Sequence, residues 1–202
     1  MIKLGFAFLV MAGLAQPSST EWTAYSATYT ETSTLTDASG HKQTNQTAGE
    51  EIRSSDGSLL TTKTAGGERI SAKLWQACGQ MIDLDYKNGQ AIYGATASRK
   101  HPDQPPDAPV GTISISGLQF VGYPVHMPPG HGTGTVWIDM NDDIMGKLEY
   151  HVPSADGGVR DVARQLTAID FNTSVDPAAL NVPSGFTKAF PRSGIPAGCV
   201  GK

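Results

Sequence analysis

Apolar residues recur at every second position over most of this chain, and that period constrains what it can fold into. In Met81-Ile82-Asp83-Leu84-Asp85-Tyr86, Ile82, Leu84 and Tyr86 share one side of an extended backbone, and both aspartates take the other. Ile144, Leu148, Tyr150 and Val152 repeat the pattern, as do Ile70, Ala72, Leu74 and Cys78, and the pair Ile113 and Ile115. Successive side chains of a strand point to opposite faces, so this alternation specifies a sheet with one packed and one wet face. The punctuation agrees. Asp37-Ala38-Ser39-Gly40, Ser55-Asp56-Gly57, Lys87-Asn88-Gly89 and Asp156-Gly157-Gly158 supply turn residues that tolerate positive φ, and Asn88-Gly89 is the strongest hairpin signal.

Eleven strands follow: Trp22–Glu31, Lys42–Arg53, Ser58–Thr64, Arg69–Gln80, Met81–Tyr86, Gln90–Ser98, Gly111–Ser116, Leu118–His126, Thr133–Met140, Ile144–Val152 and Val159–Phe171. The last is ambiguous from its residues alone, because Val159, Val162, Ala163, Leu166 and Ile169 also fit helical spacing. Asp176-Pro177-Ala178-Ala179-Leu180 reads as a single helical turn, with Asp176 as N-cap and proline at the first position. Arg99–Pro109 is a proline-rich loop between two groups of strands.

The N-terminus carries a different signal. Lys3 precedes an apolar run from Leu4 to Leu14, and Gly13-Leu14-Ala15 offers small residues where a signal peptidase cuts. Residues 1–15 are therefore expected to be a signal peptide and 16–202 a single β domain with a C-terminal tail, located in the periplasm or outside the cell. The apolar run is too short to span a bilayer, and no later stretch is long enough. The chain carries 15 Lys+Arg against 19 Asp+Glu, a net charge of −4. With no basic cluster, it lacks the electrostatic footprint of a nucleic-acid or anionic-lipid binder. Cys78 and Cys199 are expected to form one disulfide in an oxidising compartment. Its large loop would be worth about 4–5 kcal/mol in the loop-entropy account.

No catalytic signature is present: no G-x-S-x-G, no H-E-x-x-H, no phosphate loop with its lysine. No cofactor is implied, and an enzymatic role is not expected. His126, Met127 and His131 form a small group of ligand types that copper accepts, with Met140 or His151 as possible further ligands. Asp83, Asp85, Asp142 and Asp143 read as solvated strand and turn carboxylates. The aromatic residues, spread over nearly every strand, suit either a core or an apolar groove.

The order of the pieces is similar to that of a known group. It includes Gly49-Glu50-Glu51-Ile52-Arg53-Ser54-Ser55-Asp56-Gly57, then Met81–Asp85, then Gly111-Thr112-Ile113-Ser114-Ile115-Ser116-Gly117 with Gly122. Trp137-Ile138-Asp139 and Leu166–Ile169 follow, ahead of a closing Asp176-Pro177-Ala178-Ala179-Leu180-Asn181-Val182-Pro183-Ser184-Gly185-Phe186. The chain resembles uncharacterised exported bacterial proteins that look like the periplasmic lipoprotein-carrier (LolA/LolB-like) superfamily. The resemblance implies a mainly β fold with little helix, in which a curved antiparallel sheet forms an open half-barrel. It also implies that Val159–Phe171 is a strand with a bulge near Leu166–Ala168. A lipid or other apolar molecule would lie in the concave face, lined by Trp75, Ile82, Leu84, Ile113, Ile115, Trp137 and Leu148. Obvious amphipathic lid helices are missing, which departs from the carriers. The competing readings are a structural or interaction module with a filled core, and a metal-binding protein using the His126–His131 loop.

Overall fold

A computed structural model describes residues 22–95, 107–125, 132–154 and 157–189. Twelve strands form one sheet: β1 Tyr25–Thr36, β2 Lys42–Arg53, β3 Leu59–Ala65, β4 Glu68–Trp75, β5 Gln80–Asp85, β6 Gln90–Ala95, β7 Gly111–Ile115, β8 Leu118–Val125, β9 Thr133–Asp139, β10 Ile144–Pro153, β11 Val159–Asp170 and β12 Thr187–Ala189. Their spatial order is β12-β6-β5-β4-β3-β2-β1-β11-β10-β9-β8-β7. Every pairing is antiparallel except β12 with β6, which is parallel. The two end strands are not hydrogen-bonded to each other, so the sheet is open. One short 3-10 helix, Pro177–Leu180, is the only helix among the described residues. The Asp176 carboxylate accepts from the Ala178 backbone N–H at 2.8 Å, the expected cap.

All eleven expected strands are present, and β2 has the expected bounds. Val159–Asp170 is a strand. Its register against β1 shifts between Thr28 and Tyr29, which pair with Ala168 and Leu166, so Thr167 is the extra residue of a bulge. The bulge lets Leu166 and Ile169 share a face despite their odd spacing, which is what made the segment look helical.

Four details differ from the sequence reading, the first being β1, which begins at Tyr25 and runs on to Thr36 instead of covering Trp22–Glu31. β4 stops at Trp75, and Gln76–Gly79 forms a turn closed by the Gly79 N–H on the Gln76 carbonyl at 2.9 Å. Cys78 therefore lies in that turn instead of continuing the Ala72–Leu74 face. Ile70 is exposed, because the β3–β4 register shifts beside it, pairing Lys63 with Ser71 and Thr64 with Arg69. Finally, β12 is a three-residue strand that no alternation announced.

The sheet packs on both faces. One cross-strand row runs Tyr25–Arg53–Leu59–Trp75–Met81, and the next runs Ser26–Ile52–Leu60–Leu74–Ile82. On the Ile82 face, Leu60, Ala72, Leu74, Ile82, Leu84 and Ala91 are buried together. Leu180, Val182 and Phe186, from the segment leading to β12, cover them, with Phe186 edge-on to Tyr86 at 5.1 Å. The Tyr25 face contributes Tyr25, Ala27, Tyr29 and Leu166 to a second cluster with Ile115, Phe120 and Ile144. The sheet curls toward this second face. Arg53 of β2 reaches the backbone of the β9–β10 turn although β1 and β11 lie between, and β7 comes back against β11.

Candidate functional site

The seven residues expected to line one groove do not share one layer. Ile82 and Leu84 are buried on the Ile82 face beneath the C-terminal segment, whereas Ile115 is buried in the Tyr25 cluster, with Ile113 and Trp137 packed against it. Leu148 belongs to neither cluster. Ile144 pairs with Asp139 and Leu148 with Val136, and the register shift at Gly146 means that the two do not keep a common parity against β9. Alternation fails there because Gly146 lies under Phe120: a Cβ on it would come within 2.5 Å of the ring. The expected single layer is thus corrected to two, back to back.

Trp75 stands apart. It is 36% exposed, and Ile92, two strands away on the same face, is 39% exposed. Half-buried Met81 lies between them, and Trp75 pairs with buried Leu59. Gly94, opposite Met81, adds no side chain. The result is a strip over β4–β6 that Trp75, Met81 and Ile92 share with the Lys73–Asp83 ion pair at 2.9 Å, Asp83 pairing directly with Ile92 and the Lys73 ammonium reaching the Met81 sulfur at 3.8 Å.

The curled side of the sheet between β3 and β11 is charged. Arg53 is fully buried. It donates to the carbonyls of Thr23 at 2.8 Å, Asp143 at 2.9 Å and Asp142, and its guanidinium lies over the rings of Trp22 and Tyr25. Buried Glu51 pairs with Arg164 at 2.9 Å, and Arg164 lies 3.9 Å from the Tyr29 ring centre. Lys63 pairs with Glu31 at 2.6 Å. The Tyr29 hydroxyl crosses Gly49 to donate to the Thr62 carbonyl at 2.6 Å, and burial raises its pKa above the ordinary phenol value. Burial likewise raises that of Tyr150. These groups hold strands to one another. An acyl chain would have to displace paired charges to lie among them, which is unfavourable.

The sequence reading missed Glu51, Arg53, Arg164 and Tyr29 as the determinants of this interior. The available signal was parity: Gly49, Glu51 and Arg53 alternate with Glu50 and Ile52, so two charges share the face of the strand's close-approach glycine.

Two open depressions lie along the sheet. One of about 430 Å³ is lined by residues including Thr30, Thr32, Gln46, Ala48 and Thr64. Another of about 350 Å³ is lined by residues including Ser26, Thr28, Glu50, Ile52, Ala168 and Asp170. None of the seven expected residues lines either one.

The acidic residues have structural partners. Asp85 accepts from the Asn88 side chain at 2.6 Å and its backbone at 3.1 Å, which lowers its pKa and fixes the hairpin turn. His151 pairs with Asp161 at 2.6 Å. His126, Met127 and His131 lie outside the described residues, as do Cys199 and the expected signal peptide. Among the described residues no group of three or more His, Cys, Asp or Glu is placed to hold a metal ion. No helix among them is long and apolar enough to cross a membrane.

This architecture is similar to that of solved structures at low sequence identity. A LolA superfamily protein from Nitrosomonas europaea matches with a TM-score of 0.37 and 11% identity, over 82% of this chain and 90% of that one. A DUF1329 family protein from Desulfovibrio piger gives 0.36 and 8%, over 79% and 90%. A putative outer membrane lipoprotein-sorting protein domain from Vibrio parahaemolyticus gives 0.35 and 10%, again over 79% and 90%. No family model matches the chain, and no curated protein matches it in sequence.

Proposed function

We propose that the protein is an exported binding protein that holds a lipid or another apolar ligand against its sheet, with Trp75 as the anchor. The observation behind this is the β4–β6 strip, where Trp75 and Ile92 present large apolar surfaces beside Met81. Apolar side chains left at the surface and rimmed by polar ones are where a contact site is sought first. Ile82 and Leu84 then act from the other side of the same strands, keeping β5 rigid. The ligand is held by area and not by charge, since Lys73 and Asp83 neutralise each other within the strip.

Titration of the mature protein with a fluorescent fatty acid tests this reading, with native mass spectrometry of gently purified material alongside. Trp75→Ala should weaken binding about tenfold, the loss of an aromatic contact of about 1.4 kcal/mol. No retained lipid and no saturable binding by the wild type would sink the proposal.

A second reading, an interaction module with a filled core, is favoured by one observation: the curled face is occupied by Arg53 and its aromatic neighbours instead of being hollow.

Export rests on Lys3, the apolar run to Leu14 and the small residues at Gly13 and Ala15. N-terminal sequencing of protein recovered outside the cytoplasm should begin at or near Gln16. Non-reducing peptide mapping of the same material should yield Cys78 linked to Cys199. An intact Met1 on that material, or both cysteines alkylated without reductant, would refute the corresponding part.

A further inference from the structure

The two ends of the sheet are finished differently. At one end, the chain sends its C-terminal segment across several strands so that β12 can pair with β6, with the Thr187 N–H on the Gly89 carbonyl at 2.8 Å. At the other end lies β7, which among the described residues is paired as a strand with β8 alone. Natural edge strands are protected by charges, prolines, bulges or shortness, because a bare row of N–H and C=O groups is a template for another strand. Here Val110–Val125, the whole β7–β8 hairpin with its approach, contains no charged residue, although the chain has 34 in total. β7 contains no proline, and its ladder with β8 runs without a register shift from Gly111–Gly122 to Ile115–Leu118. Just before it, Val110 is 58% exposed, the most exposed large apolar side chain described.

We infer that the outer edge of β7 is an interface at which a second copy of this chain adds its own β7, antiparallel, extending the sheet across a two-fold axis. Self-pairing is favoured by the residues. With the axis through Ile113, Thr112 of one copy faces Ser114 of the other and Ile113 faces its counterpart, so hydroxyl meets hydroxyl and apolar meets apolar. Ile113 is only half-buried against the Tyr25 cluster, so pairing would extend that core across the axis. Charge selects the place: two copies of a chain with net charge −4 repel over most of their surface, and this hairpin is the uncharged stretch. The edge spans roughly 17 Å at about 3.4 Å per residue, less than a permanent interface needs, so association should depend on concentration.

Sedimentation velocity on the mature protein, from low to high micromolar, tests this. The wild type should move toward about twice the monomer mass as concentration rises, while Ser114→Lys, which puts a like charge on each side of the axis, stays monomeric. Circular dichroism and a thermal melt establish that the variant is folded. Amide exchange supplies a second measurement: Thr112–Ile115 should gain protection with concentration in the wild type only. A monomer at every concentration overturns the inference. So does a dimer that Ser114→Lys leaves intact or that forms without added protection in β7.

Discussion

Replacing Arg53 by leucine should remove about 3–5 kcal/mol of stability, the cost of breaking a buried charged hydrogen-bond group from one side. The guanidinium is the common partner of three backbone carbonyls, those of Thr23, Asp142 and Asp143, on segments that no strand ladder joins directly. Leucine fills part of the volume but leaves those carbonyls without a donor, at about 1–3 kcal/mol for each one that water cannot reach. It also forfeits the contacts with Trp22 and Tyr25. Lysine keeps the charge but not the planar fork, so Arg53→Lys should recover less than half of the loss. Urea denaturation of the three proteins decides the matter. A midpoint for Arg53→Leu within error of the wild type would show that the β9–β10 turn is held by something else.

A second large effect is expected at Gly49. A Cβ there would come within 1.9 Å of the Thr62 carbonyl oxygen and 2.6 Å of the Tyr29 ring. The first obstacle is backbone of the neighbouring strand, which cannot swing aside as a side chain can. Gly49→Ala should therefore cost at least about 3 kcal/mol, the upper part of the range for overpacking. Gly66→Ala is the matched control. Gly66 has φ 59° in the β3–β4 turn, with nothing within 4 Å of an added Cβ. Only the left-handed backbone is penalised there, at about 1 kcal/mol. Melting temperatures should rank wild type, Gly66→Ala, Gly49→Ala in descending order, and equal losses at the two glycines would contradict the steric account.

Much of this architecture was legible because strands advertise themselves by parity and turns by chemistry. Lys42–Arg53 and the Asn88-Gly89 hairpin could be read from their residues, whereas the strand with its bulge at Leu166–Ala168 came only from the family resemblance, because its residues also fit helical spacing. What parity cannot report is which face of a continuous sheet a given strand turns toward a given neighbour. Ile82 and Ile115 each alternate correctly within their strands, yet they lie in different clusters, since the sheet is packed on both sides. Between Ile144 and Leu148 the parity itself is broken by Gly146, a glycine set by the Phe120 ring from another strand. β12 had no signal because three residues are too few for a period. The candidate site was the least legible part. An apolar residue in a strand looks the same whether it will be covered, as Leu84 is, or left at the surface, as Trp75 is.

The central ladder sets the order in which the molecule can be assembled. β1 lies between β2, which follows it almost at once, and β11, which is made more than a hundred residues later. A chain appearing from its N-terminus can complete the β2–β6 meander early and the β7–β10 meander later. The seam that unites them needs β11, so the contacts most distant in sequence are also the last that the chain can make. Throughout that interval β1 has one bare edge. The strand that waits carries Thr28, Thr30, Thr32, Thr34 and Thr36 at every second position, so one of its faces offers water a line of hydroxyls instead of a greasy surface on which other unfinished chains could collect.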